Sequence, residues 1–141
     1  MKNQFAYPAK VTKDGSLYVV TFRDVGEAIT QTDSKEKVLK VALSVLEDVA
    51  EVYMEEGRPF PLASARRKGE VLIELPISFS AKVVLHNSML KNKVRQADIA
   101  RSLNIPTSEV ARIVNPRTKI KIDTLALAIR ATGGQIALSC A

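Results

Sequence analysis

Residues 95–113, with the sequence RQADIARSLNIPTSEVARI, combine residue types and a spacing that have a clear chemical meaning. Small Ala100 is followed four residues later by Asn104, and Val110 and Ile113 come six and nine residues after Asn104. This spacing is typical of a DNA-binding helix-turn-helix, in which the first helix crosses the backbone and the second enters the major groove. Asparagine is one of the few residues that tolerate the positive φ of such a turn, where glycine is most common.

The second helix of this pair is expected at residues 108–114, capped by Thr107. Because successive helical residues lie ~100° apart, Val110 and Ile113 define its buried side. On the outward side, Arg112 can contact guanine. Asn115 can pair with adenine, and Ala111 can contact a thymine methyl group. The predicted groove-facing residues are Ser108, Ala111, Arg112 and Asn115. Those predicted to contact phosphate are Arg95, Gln96, Thr107, Arg117 and Lys119.

The distribution of charge supports a polyanionic partner for the second half of the chain. The net charge is +6. Residues 1–77 hold 11 lysines and arginines against 12 acids, whereas residues 78–141 hold 10 against 3. All the excess positive charge therefore belongs to the second half, and the two halves are expected to bind different partners. The alternative is a basic surface that only confers solubility.

Composition excludes several other classes of protein. With 46% apolar and 26% charged residues among 141, the chain is expected to be globular. It begins without an apolar signal sequence and lacks the ~20 apolar residues that span a bilayer, so a cytoplasmic location is expected. Cys140 is the single cysteine, so neither a disulfide nor a zinc site is expected, and no cofactor is indicated.

The first half has the pattern of a small α+β domain. Two β-branched and aromatic runs, residues 4–12 and 17–22, flank an Asp14-Gly15 pair that indicates a hairpin. A third strand is predicted at residues 28–31, an amphipathic helix at 34–56 with Asp33 as its cap, and a fourth strand at 70–75. Pro8 should lie at an edge or where no ladder bond is needed. The predicted order is β-β-β-α-β.

The predicted long helix carries its charges in the order opposite to the one its dipole favours, with lysines first and acids last. Helix stability does not explain this order. We therefore interpret the acidic end as a candidate docking surface for a basic partner, and the alternative is an ordinary solvated face. The acids concerned include Glu47, Glu51 and Glu55.

The second half is predicted to be helical except at its end. Helices are expected at residues 80–92 and 124–132 on either side of the helix-turn-helix. Residues 135–139, QIALS, have the pattern of a terminal strand, and a lone strand needs a mate. Pairing with a twofold copy would give a homodimer suited to a palindromic operator.

Taken in order, these segments resemble the HicB-type antitoxins of bacterial toxin–antitoxin pairs. The resemblance is carried by the order and spacing of several segments rather than by one motif. They are Tyr7-Pro8, Asp14-Gly15, residues 18–22, 24–28 and 30–34, and residues 73–78 before the repressor-like part.

The resemblance implies a degenerate ribonuclease H-like domain at residues 1–77 that blocks a small mRNA-cleaving toxin called HicA. It also implies a helix-turn-helix domain at residues 78–141 that represses the operon. The sequence leaves open whether the first domains also pair, which would turn the homodimer into a tetramer. Nuclease activity is disfavoured because Asp14 and Asp24 lie in predicted turns and form no convergent carboxylate cluster. His86 has no suggested nucleophilic partner, so no enzyme is expected. The remaining alternative is a stand-alone repressor whose first domain senses a small ligand.

Overall fold

A computed structural model of the chain describes residues 3–140. Within them the backbone forms two compact units. The first unit contains residues 3–53 and 61–75, and the second contains residues 54–60 and 76–140. Residues 54–60 join the second unit partly through Phe60, whose backbone N–H and carbonyl both bond the side-chain amide of Asn87 at 2.9 Å.

The first unit is built on an antiparallel sheet, whose strands are β1 (Ala6–Asp14), β2 (Leu17–Phe22), β3 (Ile29–Thr32) and β4 (Val71–Glu74). Their order across the sheet is β3-β2-β1-β4. Gly15 has a φ of 61° in the turn that joins β1 to β2, which confirms the hairpin predicted from the Asp-Gly pair. With the long helix between β3 and β4, the predicted order β-β-β-α-β is confirmed.

Pro8 lies in the half of β1 that has a neighbour on one side only. β1 pairs with β4 over residues 6–9 and with β2 over residues 9–14. Pro8 faces Leu72 of β4, and the ladder with β2 begins only at Ala9. The missing amide donor therefore interrupts no ladder on the β2 side.

The long helix is α1 (Val38–Glu55), which follows a short 3-10 turn at Lys35–Lys37. Its buried residues are Val38, Ala42, Leu46 and Ala50. The prediction that Asp33 caps this helix is wrong, because the residue before the 3-10 turn is Ser34, whose hydroxyl donates to Glu36 at 3.0 Å. The tight turn moves the start of the regular helix four residues past the predicted beginning.

The second unit is helical. Its helices are α2 (Ile77–Asn92), α3 (Gln96–Leu103), α4 (Thr107–Val114) and α5 (Ile122–Ala131). They share one apolar core, whose largest fully buried side chains are Leu85, Ile99, Ile113, Leu125 and Ile129. Across residues 3–140, no helix has the length and hydropathy needed to cross a membrane.

The terminal strand predicted at residues 135–139 is not formed in the single chain. Among the described residues, 135–140 have no regular secondary structure. The segment is nevertheless attached to the unit, because Ile136 packs against the helical core and Gly134 donates to the Ile129 carbonyl at 3.1 Å. A strand requires a second strand to complete its hydrogen-bond ladder, and this unit is otherwise helical.

Candidate nucleic-acid interface

The turn between α3 and α4 has the backbone geometry that the sequence predicted. Asn104 ends α3 in the left-handed region, with φ 54° and ψ 51°. The next amide, that of Ile105, donates back to the Ala100 carbonyl at 3.0 Å. An asparagine tolerates this conformation better than residues with larger or branched side chains, so the sharp change of direction after α3 is encoded locally.

The side of α4 that faces the core is fixed by apolar contacts. Val110 and Ile113 are 0% and 1% exposed, and Ile99 of α3 is 0% exposed. Ala100 is also buried, and its small side chain allows the two helices to approach closely. Because these residues fix the rotation of α4, the opposite side of the helix must face solvent.

The predicted contact residues lie on that solvent-facing side or just outside α4. Of the nine, only Gln96 is half-buried. The eight exposed residues are Arg95, Thr107, Ser108, Ala111, Arg112, Asn115, Arg117 and Lys119. Two turns of α4 and the segment that follows it therefore present small, polar and basic side chains together.

Arg112 is held by an acid that the sequence analysis did not select. Its Nη2 lies 2.9 Å from Oε1 of Glu109, one turn earlier on α4, and both side chains are about half exposed. This ion pair lowers the pKa of Glu109 and raises that of Arg112. The i,i+3 spacing in the sequence was the available signal for the pair. A bound guanine must either displace Glu109 or accept an arginine that Glu109 orients.

A second charged cluster lies at the start of α3. The Asp98 carboxylate accepts the Arg95 backbone N–H at 2.9 Å and forms ion pairs with the Arg95 and Arg101 side chains. That backbone hydrogen bond is the main cause of the lowered pKa of Asp98. Arg101, which the sequence analysis did not select, is exposed on the same helix. Arg95, Arg101 and Thr107 line an open groove of about 450 Å³ between α3 and α4.

Asn115 has a structural task at the end of α4. Its Oδ1 accepts the Arg117 backbone N–H at 2.9 Å, and its carbonyl accepts the Thr118 N–H at 3.2 Å. The side chain thus shapes the turn that carries Arg117. Contact with adenine through both amide atoms requires Oδ1 to accept a second hydrogen bond or to release this one.

Lys82 of α2 was also missed by the sequence analysis. It is 2% exposed, and its Nζ donates hydrogen bonds to the carbonyls of Asn115 and Thr118. Burial, with a smaller effect from nearby Arg112, lowers the pKa of Lys82 to about 8. The signal in the sequence was a single lysine among apolar residues, FSAKVVL, at residues 79–85.

The predicted acidic docking residues lie one helical turn apart along α1. Glu47 and Glu51 are half-buried, whereas Glu55 is exposed. The exposed apolar residues Leu39 and Val52 belong to the same helix. The acids thus form a row beside the buried side of α1.

Two acids of the first unit, Asp24 and Glu70, have structural partners. The Asp24 carboxylate accepts both the backbone N–H and the hydroxyl of Ser64 at 2.8 Å. Glu70 receives two hydrogen bonds from Arg23, each of 3.0 Å. Across residues 3–140, no group of three or more His, Cys, Asp or Glu side chains could hold a metal ion. His86 contacts the Arg58 carbonyl at 2.8 Å.

The chain is similar in sequence to known proteins, in part over residues 6–84 and in part over nearly its whole length. Residues 6–84 match the family described as HicB_like antitoxin of bacterial toxin-antitoxin system. The chain is 37% identical to antitoxin HicB 2 of Photorhabdus laumondii subsp. laumondii, over 98% of both chains. It is 32% identical to antitoxin HicB of Escherichia coli (strain K12), over 94% of this chain and 96% of that protein. The family match ends within α2, whereas both relatives extend through α3 and α4.

Proposed function

Because this chain belongs to the HicB-like antitoxin family, we propose that it neutralises a small HicA-type mRNA-cleaving toxin and represses the operon that encodes the pair. We assign toxin binding to residues 1–77 and operator binding to residues 78–141. Similarity to named antitoxins along nearly the whole chain is the single observation that carries the proposal. Because mRNA and promoter DNA lie in the bacterial cytoplasm, we propose that the protein acts there.

The toxin-binding part of the proposal is supported by charge. A protein that binds and cleaves RNA needs a basic surface, and opposite charges speed and orient association with such a surface. The row of Glu47, Glu51 and Glu55 on α1 provides negative charge with one-turn spacing. We therefore infer that α1 faces the basic surface of the toxin. An antitoxin of this type acts by occlusion and needs no catalytic group of its own.

The operator-binding part is supported by the α3–α4 pair. The turn at Asn104, the buried Val110 and Ile113, and the outward basic and small polar residues together meet the geometric needs of a helix-turn-helix. We propose that α4 enters the major groove and that Arg112 contacts guanine there. Basic residues at the start of α3 and after α4 contact the flanking phosphates.

The proposed assembly is a homodimer, with a tetramer as the higher state. One α4 recognises only a short half-site, and a twofold pair recognises two half-sites about one helical turn apart. Residues 135–139 have the sequence pattern of a strand, yet they lack regular secondary structure in the single chain. Pairing of two such segments across the twofold axis would complete the strand predicted there.

A growth assay tests the toxin-binding proposal. The small open reading frame adjacent to this gene is expressed from an inducible promoter, alone and together with the full-length antitoxin. The proposal predicts growth arrest in the first case and growth in the second. Toxicity that persists with a soluble, well-expressed antitoxin contradicts the proposal and favours the alternative, a stand-alone repressor that senses a small ligand.

A further inference from the structure

A buried charge connects α2 to the segment that follows α4. Lys82 is 2% exposed, and its ammonium donates to the carbonyls of Asn115 and Thr118. Asn115 is the residue at which α4 ends, and Thr118 closes the next turn. The α2 side chain therefore bonds both ends of the turn that carries Arg117.

Core packing alone does not explain a lysine at this position. A buried charge costs free energy unless it is hydrogen-bonded, and an apolar side chain would fill the space without that cost. An ammonium placed at a helix C-terminus does, however, complement the dipole and the last carbonyl groups. Lys82 is thus suited to fixing the end of α4.

A second side chain of α2 holds the same segment. Phe79, one turn before Lys82, is buried, and the Arg117 guanidinium lies over its ring at 6.0 Å. Arg117 is further tied to Asn115 through its backbone N–H. Two residues of α2 therefore hold the backbone and one side chain of the 115–118 turn.

We propose that Lys82 is a positioning residue for DNA recognition, which holds residues 115–119 so that Asn115, Arg117 and Lys119 meet the operator together with α4. This inference rests on the proposed operator binding. Lys82 itself does not contact DNA. Replacement of Lys82 should therefore loosen residues 115–119 while the core of the second unit remains folded.

The pKa of Lys82 supplies a readout that a merely structural role would not give. Burial lowers it to about 8, and Arg112 of α4 is the charged group that adds to this effect. Arg117 on the turn is a second cation nearby in the chain, and both arginines stay protonated at this pH. Loss of the proton weakens the charge-assisted hydrogen bonds from Lys82 to the Asn115 and Thr118 carbonyls, so operator affinity should fall as the pH rises through about 8.

Full-length variants test the proposal by fluorescence anisotropy on a duplex from the gene's own promoter and on a scrambled duplex of equal length. Lys82→Met should weaken promoter binding by about tenfold or more and lower the preference over the scrambled duplex. Lys91→Met is the matched control, because it removes the same charge from an exposed position of α2. It should weaken binding to both duplexes by similar, small factors. Equal behaviour of the two variants overturns the proposal.

Two further measurements cover the case in which Lys82→Met does not fold. Lys82→Arg keeps a positive charge that does not titrate near pH 8. As the pH rises through about 8, the promoter affinity of this variant should therefore change less than that of the original protein. Between Lys82→Arg and the original protein, the amide NMR chemical shifts should change mainly at residues 115–119. Parallel pH profiles, or unchanged shifts there, overturn the proposal. A protein that never prefers the promoter duplex contradicts operator binding itself.

Discussion

Arg112 and Glu109 form an ion pair on the exposed side of α4, with Nη2 and Oε1 2.9 Å apart. Arg112 is the residue proposed to contact guanine, so its guanidinium is already directed by a neighbour before DNA arrives. An exposed pair of this kind contributes little to stability, because solvent screens it. Its proposed importance is for recognition, since it limits the directions from which Arg112 approaches a base.

Replacement of Arg112 by alanine should remove the preference for the operator. The loss of a bidentate contact to guanine costs about 1–3 kcal/mol of binding free energy, and affinity for unrelated DNA should change little. Anisotropy titrations with both duplexes measure this difference. Arg130→Ala, which removes an exposed arginine from α5, is the control and should retain the preference. Simultaneous loss of toxin and operator binding in Arg112→Ala would mean that the variant unfolds or that the domain assignment is wrong.

Asn104→Ala should destabilise the second unit by about 1 kcal/mol, because alanine is strained at the observed φ of 54°. Asn104→Gly should retain most of the stability, since glycine adopts this conformation freely. Urea unfolding followed by circular dichroism gives the free energy of unfolding. Lys93 has a φ of 55° at the end of α2, so Lys93→Gly is an informative control that should not destabilise. Equal stability of Asn104→Ala and the original protein would show that the turn relaxes out of the left-handed region.

Charge reversal of Glu51 and Glu55 to lysine should weaken binding of a basic toxin, most clearly at low salt where exposed charges are least screened. Surface plasmon resonance at two salt concentrations measures the change in association rate. Glu74→Lys on β4 reverses an exposed acid outside α1 and serves as the control. Unchanged toxin affinity of the double variant at low salt would leave the acids of α1 as an ordinary solvated face.

Acid should destabilise the first unit partly through Glu70. Hydrogen bonds from Arg23, then from the Arg67 backbone, lower the pKa of Glu70 below its usual 4.5. Its folded pKa is thus below its unfolded pKa, so its contribution is present above about pH 4.5 and is lost as the pH falls through the folded value.

Thermal melts of Glu70→Gln test this assignment. The variant should be less stable than the original protein at neutral pH, and the difference should shrink at about pH 3. Glu74→Gln, which changes an exposed acid on the adjacent strand, controls for the loss of one charge. A constant difference across the whole pH range would show that Glu70 contributes by packing and not by its charge.

Local signals explain what the sequence predicted correctly. The Asp14-Gly15 pair identified the first hairpin, and Asn104 identified the left-handed turn, because both conformations depend on the residue itself. The alternation and spacing of apolar residues placed the four strands and five helices of residues 3–140 in the right order.

The errors in the helix caps have local causes, whereas the terminal strand and Lys82 depend on residues that are distant or absent in the single chain. Asp33 resembled a cap, but a 3-10 turn after Ser34 begins the helix instead. The prediction that Thr107 caps the second helix of the pair is also wrong, because Thr107 is the first residue of α4 and Pro106 precedes it as the cap. The strand at residues 135–139 requires a partner that one chain does not supply. Lys82 lies 33 residues from Asn115 in sequence, so no local pattern relates them.

The most direct test of the central claim is to purify the full-length protein from its own cells under native conditions, with a tag at its N-terminus. Mass spectrometry then identifies the bound proteins, and sequencing identifies the bound DNA. The account predicts a small basic protein encoded beside this gene, together with DNA from the shared promoter. Recovery of promoter DNA without any such protein, under conditions in which both genes are expressed, would contradict the antitoxin assignment.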